Sequence, residues 1–76
     1  MTDRALHNFA KNLRTLRRYH DETQIELAGI LYISPSTLRA YESERQTPNL
    51  EVLVGIANHY NVSIDALIRD GNELPL

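Results

Sequence analysis

Two helix-opening signatures eleven residues apart constrain this chain more than anything else in it. Thr23-x-x-Glu26 has the form of a capping box, in which a hydroxyl and a carboxylate satisfy orphan backbone amides reciprocally. Ser34-Pro35 is a second opening: serine as the N-cap, then proline at the first helical position, where its missing N–H costs nothing. A helix begun at Thr23 must therefore stop after about two turns and hand over to another. Residues 23–48, TQIELAGILYISPSTLRAYESERQTP, read as two short helices joined by a tight turn, with polar residues opening the second.

Apolar periodicity places three more helices around this pair. A first helix runs from Asp3 to about His20, with Leu6, Phe9, Ala10, Leu13 and Leu16 on one stripe and Lys11, Arg14, Arg17 and Arg18 on the other faces. The helix from Thr23 to about Leu31 turns Leu27, Ala28 and Leu31 inward, and the one opened by Ser34 buries Leu38 and Tyr41. Gln46-Thr47-Pro48-Asn49 breaks the chain, and Asn49 caps a fourth helix through Tyr60 with the stripe Leu50, Leu53, Ile56, Ala57 and Tyr60. Asn61 is suited to end it in a left-handed conformation, and Ser63 caps a short fifth helix to about Arg69, stopped by Gly71. No alternating strand pattern competes, so the expected fold is all-α, one domain over residues 1–76.

A chain of 76 residues buries only about 60% of its unfolded surface, and without cysteine it has neither a disulfide nor a Cys-based zinc site. Its core must be apolar side chains, to which a second copy would add. No apolar run approaches the ~20 residues of a membrane span, and the N-terminal TDRALHNFAKN lacks a signal-peptide core, so a cytoplasmic protein without membrane contact is expected. The net charge of −2 speaks mildly against a polyanionic partner. It is unevenly spread: residues 1–45 carry seven basic and six acidic side chains, residues 46–76 one and four. The balance is thus +1 on the half holding the two short helices and −3 beyond it.

Nothing in the chain reads as catalytic. His7, His20 and His59 lie far apart with no partner at metal-binding or catalytic spacing, and each reads as a surface helix residue. The glycines, Gly29, Gly55 and Gly71, are isolated and form no phosphate loop, and Asp21-Glu22 reads as a polar loop. No enzyme activity, metal or cofactor is expected.

The spacing within the paired helices is specific. Gln24-x-x-Leu27-Ala28-x-x-Leu31-x-Ile33-Ser34 leads into Ser36-Thr37-Leu38 and Glu42, and Pro48 follows. With Leu13-x-x-Leu16-Arg17 upstream and Leu50-x-x-Leu53-x-x-Ile56-Ala57 downstream, this resembles the helix-turn-helix of the phage repressor and Cro (XRE-like) family of bacterial regulators, from about Phe9 to Ile68. The resemblance implies a five-helix, lambda-repressor-like domain whose motif covers about residues 24–43. Packing considerations agree with it: Ala28 is small where two helices should cross, Ile33 can plug the space between them, and Leu38 can pack back on Leu27.

What the resemblance implies for individual residues follows. Pro35, Ser36, Thr37, Arg39 and Ala40, at the start of the recognition helix, correspond to the residues that meet base edges. Arg39 is the sharpest of them, since a guanidinium can donate two hydrogen bonds to guanine O6 and N7. Gln24 corresponds to a phosphate-contacting glutamine, and Thr23, Ser34, Ser43, Arg45 and Thr47 are expected at the DNA backbone, where contacts set register without reading sequence. Arg14 and Arg18 are either further contacts or a solvated helix face. Arg17 and Glu42 correspond to a structural salt bridge. Two positions depart from the family pattern: Tyr32 and Glu44 stand where its members usually have glycine.

The expected function is therefore a sequence-specific regulator, a repressor, binding double-stranded DNA at a palindrome as a homodimer. An antitoxin or adaptor that works through a protein partner on the same fold is the alternative. The fifth helix and the tail Asp70–Leu76 either supply the dimer contact, through exposed Ile68, Leu74 and Leu76, or form a flexible end.

Overall fold

The computed structural model describes every residue from Met1 to Leu76, and all of its regular structure is helical. α1 spans Asp3–Tyr19, α2 Gln24–Ile30, α3 Pro35–Glu42, α4 Leu50–Tyr60 and α5 Ile64–Ile68; a 3-10 turn follows at Gly71–Glu73. Each helix opens on a polar cap. The side chains of Thr2, Thr23, Ser34, Asn49 and Ser63 each accept from the backbone N–H three residues on, satisfying a donor that the helix cannot. At Thr23 the box is complete, because its own N–H donates to Glu26 Oε1 at 2.9 Å. That bond holds the Glu26 carboxyl below its usual pKa.

The first four helices end alike. Asp21, Tyr32, Glu44 and Asn61 all have left-handed backbone, with φ of 56°, 57°, 64° and 54°. Each lies in a Schellman motif, where that residue's N–H and the next one's reach back to the last turn. Tyr32 N–H donates to the Gly29 carbonyl and Ile33 N–H to that of Ala28; Glu44 and Arg45 do the same to Tyr41 and Ala40. No glycine has positive φ, although left-handed backbone normally favours glycine. The turn at Tyr32 therefore keeps the shape that glycine would give it, and the tyrosine covers no neighbouring surface: it is 96% exposed.

Phe9, Leu13, Leu16, Leu27, Leu38, Ile56 and Leu67 form the fully buried centre. α1 runs through the middle, packed on α5 and α3, while α2 packs on α3 and α4 on α5. Ala28 is buried in the core cluster, and Ile33 and Leu31 pack partly buried against it. Four expectations need correction. Leu50 lies outside the core, 70% exposed, at the margin of the α4 stripe and the open end of the helix. Leu74 is buried in the core and Ile68 packs partly buried on it, which leaves only Leu76 of the three tail residues exposed. Gly71 does not stop α5; that helix ends at Ile68, Arg69 turns extended, and Gly71 begins the 3-10 turn.

α5 ends instead on side chains from α1. Asn12, fully buried, donates through Nδ2 toward the carbonyls of Ala66, Leu67 and Arg69 at 3.2, 2.9 and 2.8 Å, and Asn8 Nδ2 donates to that of Ile68 at 3.1 Å. The orphan carbonyls of a five-residue helix are thus satisfied from across the molecule. No helix is long and apolar enough to cross a membrane.

Candidate nucleic-acid interface

α3 buries Leu38, Tyr41 and Glu42 and presents the opposite side outward. Ser36, Arg39, Ala40 and Ser43 recur at the i, i+3, i+4, i+7 spacing that lines up residues on one helix face. Ser36, Arg39 and Ser43 are exposed, and Ala40 and Pro35 are partly so. The Arg39 guanidinium has no carboxylate partner, unlike Arg17 and Arg69, so it is free to donate to a ligand. Thr37 lies to the side of this face, its hydroxyl 2.9 Å from that of Ser34, and the Ser34 hydroxyl also accepts the Thr37 N–H at 3.1 Å. The Ser43 hydroxyl donates back to the Arg39 carbonyl at 2.8 Å. Of the residues expected at base edges, the outward face thus combines Ser36, Arg39 and Ala40, with Pro35 at its edge and Thr37 turned aside.

Behind this face lies a charge network that holds α1, α2 and α3 together. Arg17 meets Glu42 with two nitrogens, and both side chains are largely buried. Gln24 Nε2 donates to the same carboxylate, at Oε1, over 3.0 Å, and Arg14 Nη1 donates to the Glu42 carbonyl. Hydrogen bonding to Glu42 raises the Arg17 pKa against the opposing effect of burial. Gln24, expected at a phosphate, thus has its amide nitrogen directed inward in the free protein, and Arg14 is tied to α3 instead of lying on a solvated face.

After α3 the loop of Ser43, Glu44, Arg45 and Thr47 is exposed, while Pro48 is buried and fixes its far end. Glu44, held in its left-handed turn, has its carboxylate 3.1 Å from His7 Nδ1 on α1. Two features of the site's surroundings escaped the sequence reading. His59 is not a plain surface residue, and Glu22 is not a plain loop residue: His59 Nε2 lies 2.6 Å from Glu22 Oε2, and the Tyr60 hydroxyl donates to Glu22 Oε1 at 2.5 Å. Burial and the Glu22 carboxylate hold the Tyr60 phenol far above its usual pKa. Spacing gives no hint of either contact, because 37 and 38 residues separate the partners.

Residues 13–67 match the protein-family model described as Helix-turn-helix. The chain is 40% identical over 64 residues to the antitoxin PezA of Streptococcus pneumoniae, covering 84% of this chain and 40% of that protein. It is 36% identical over 62 residues to RstR, a transcriptional repressor of the cryptic phage CTXphi from Vibrio cholerae, covering 82% and 56%. It is 37% identical over 60 residues to YobD of Bacillus subtilis, named an uncharacterized HTH-type transcriptional regulator, covering 79% and 54%. The chain thus spans about half the length, or less, of these relatives. No solved structure matches it.

Proposed function

Because this chain belongs to the helix-turn-helix family of the phage repressor and Cro type, a family of DNA-binding transcriptional regulators, we propose that it represses transcription by binding a palindromic operator as a homodimer. In this reading the outward face of α3 enters the major groove, with Arg39 and Ser36 reading base edges and Pro35 and Ala40 offering apolar contact to thymine methyls. Thr23, Gln24, Ser34, Ser43, Arg45 and Thr47 contact the backbone and set register. Gln24 does so by donating its second Nε2 hydrogen, while the first stays on Glu42. The observation that carries the proposal is the presentation of α3: its buried side packs through Leu38, Tyr41 and the Glu42 network, while the unpaired Arg39 stands outward. Base contacts are few, so DNA shape supplies part of the specificity.

Dimerisation sets two recognition helices about 34 Å apart, one helical turn of DNA. With Leu74 buried and Ile68 packed, the tail has little apolar surface left for that contact. Selection of binding sites from random duplex DNA tests the whole reading. A palindrome with half-sites about one turn apart is the expected result; a single asymmetric half-site would remove the homodimer, and no enrichment would remove sequence-specific binding.

A second reading is favoured by one specific observation, the similarity to an antitoxin. Here the same fold works mainly through a protein partner, and the acidic residues beyond α3 suit that. Affinity for random duplex DNA measured against salt separates the two. A steep log–log slope marks phosphate contact, whereas no binding at low salt leaves the protein-partner reading.

A further inference from the structure

Glu22 stands immediately before the N-cap of α2 and is bound from three sides. Its carboxylate meets Tyr60 and His59 from the last turn of α4, and its backbone carbonyl accepts from Arg17 Nη1 at 2.8 Å. The side chain is only 15% exposed. The remaining nitrogens of the same guanidinium hold Glu42, whose Oε1 also takes Gln24 Nε2. A continuous polar path therefore runs from His59 on α4, through Glu22 and Arg17, to Glu42 at the end of α3 and Gln24 at the start of α2. It fastens both ends of the two-helix unit from behind.

We infer that Glu22 and His59 are positioning residues for DNA binding, fixing the orientation of Gln24 and the end of α3 through Arg17. This rests on the DNA-binding reading above. Neither residue touches the outward face of α3; they act through the guanidinium that both segments share. A shift of the Glu22 backbone unloads one Arg17 nitrogen and frees the fork to tilt, and Gln24 moves with the carboxylate it binds. Because interacting side chains in one network respond jointly, substitutions at Glu22 and Gln24 should not act independently.

His59 enters the path through geometry: its Nε2 holds Glu22 Oε2 at 2.6 Å from the last turn of α4. Tyr60, beside it on α4, holds the other oxygen of the same carboxylate. The rings of His59 and Tyr60 are 4.6 Å apart, and His20 covers Tyr60 at 5.2 Å.

The test is a double-mutant cycle, Glu22→Gln with Gln24→Ala, read as affinity for the selected duplex by variants verified as folded by circular dichroism. The expected outcome is that Gln24→Ala costs at least about threefold less in the Glu22→Gln background than in the wild type. His59→Ala should lower affinity by at least about threefold, and His59→Gln, which keeps a donor for Glu22, should restore most of that loss. Additive effects in the cycle, or a His59→Gln protein that binds no better than His59→Ala, would overturn the inference while leaving DNA binding standing. A wild-type protein that binds no duplex at low salt would instead overturn the DNA-binding reading, and this inference with it.

Discussion

Arg17 and Glu42 face each other fork to fork: Nε lies 2.7 Å from Oε2 and Nη2 3.1 Å from Oε1, with the side chains 11% and 5% exposed. The pair joins α1 to the end of α3, and Gln24 completes the carboxylate's shell. Removing one partner strands a buried charge, which costs on the order of 3–5 kcal/mol. Glu42→Ala should therefore lower the melting temperature sharply, and Arg17→Lys, which keeps charge but loses the planar fork, should lower it less. Thermal unfolding followed by circular dichroism decides; a Glu42→Ala protein as stable as wild type would show the pair to be incidental.

Asn12 carries a comparable load without any charge. Its amide serves three carbonyls at the end of α5, and each buried carbonyl left unpaired costs about 1–3 kcal/mol. Asn12→Ala is expected to destabilise the domain by about 2–3 kcal/mol. Asn12→Asp should do worse, since it aims a carboxylate at the same oxygens. Urea denaturation of both variants measures the order, and an aspartate variant more stable than the alanine one would contradict it.

Tyr32 and Glu44 hold left-handed backbone at a cost of about 1–2 kcal/mol each. Glycine relieves that strain but gains freedom in the unfolded chain, so the net gain from Tyr32→Gly should be about 0.5–1 kcal/mol. Glu44→Gly should gain less, because it also loses the contact with His7. Asn61→Gly should gain least, as asparagine tolerates this region. Chemical denaturation midpoints for the three variants would rank them, and a destabilised Tyr32→Gly protein would mean that the exposed ring contributes something its surroundings do not reveal.

Glu26 gives stability a definite dependence on acid. Its carboxyl titrates lower in the folded protein than in the unfolded chain, first because it accepts the Thr23 N–H. A lowered folded pKa contributes stability that is present above the unfolded value of about 4.3 and is lost as pH falls through the folded one. Glu26→Gln should remove that component of the acid limb. Tyr60 acts in the opposite direction: its pKa is raised by burial and by Glu22, so its contribution is present below about pH 10 and is lost as pH rises beyond. Urea midpoints against pH for Glu26→Gln and Tyr60→Phe would separate the two limbs.

Arg39→Ala should cost about 1–3 kcal/mol on the selected operator and little on random duplex. Arg45→Ala should weaken both alike and reduce the salt slope by about one unit. Equal losses on the two DNAs for Arg39 would assign it to the backbone.

The architecture was legible because it is written locally. Thr23, Ser34, Asn49 and Ser63 cap the helices they were expected to cap, and Asn61 takes its left-handed turn. Leu27, Leu38, Leu13 and Leu16 lie in the core as periodicity requires. Periodicity fails at margins: Leu50 shares the apolar spacing of α4 but lies at an end that no neighbour covers. It is also blind to polar side chains whose partners lie distant in sequence. Asn12 looks like one polar residue interrupting an apolar stripe, and Glu22 like a loop acid, until α5 and α4 are brought against them. Within the candidate interface, the family resemblance pointed to Arg39 and Ser36, but only the folded chain shows Gln24 directed into Glu42 and Thr37 turned toward Ser34.

The dependence of α1 on the far end of the chain has a consequence for biosynthesis. A ribosome releases Asn12 early, yet the carbonyls of residues 66–69 that its amide serves emerge more than fifty residues later. Until then, burying Asn12 strands an amide in an apolar interior, which disfavours early closure around α1. Closure around α1 is therefore disfavoured until the last turn of the domain has emerged, which favours one late folding event over a stepwise one. A chain cut short before Leu67 would lose far more than its final helix.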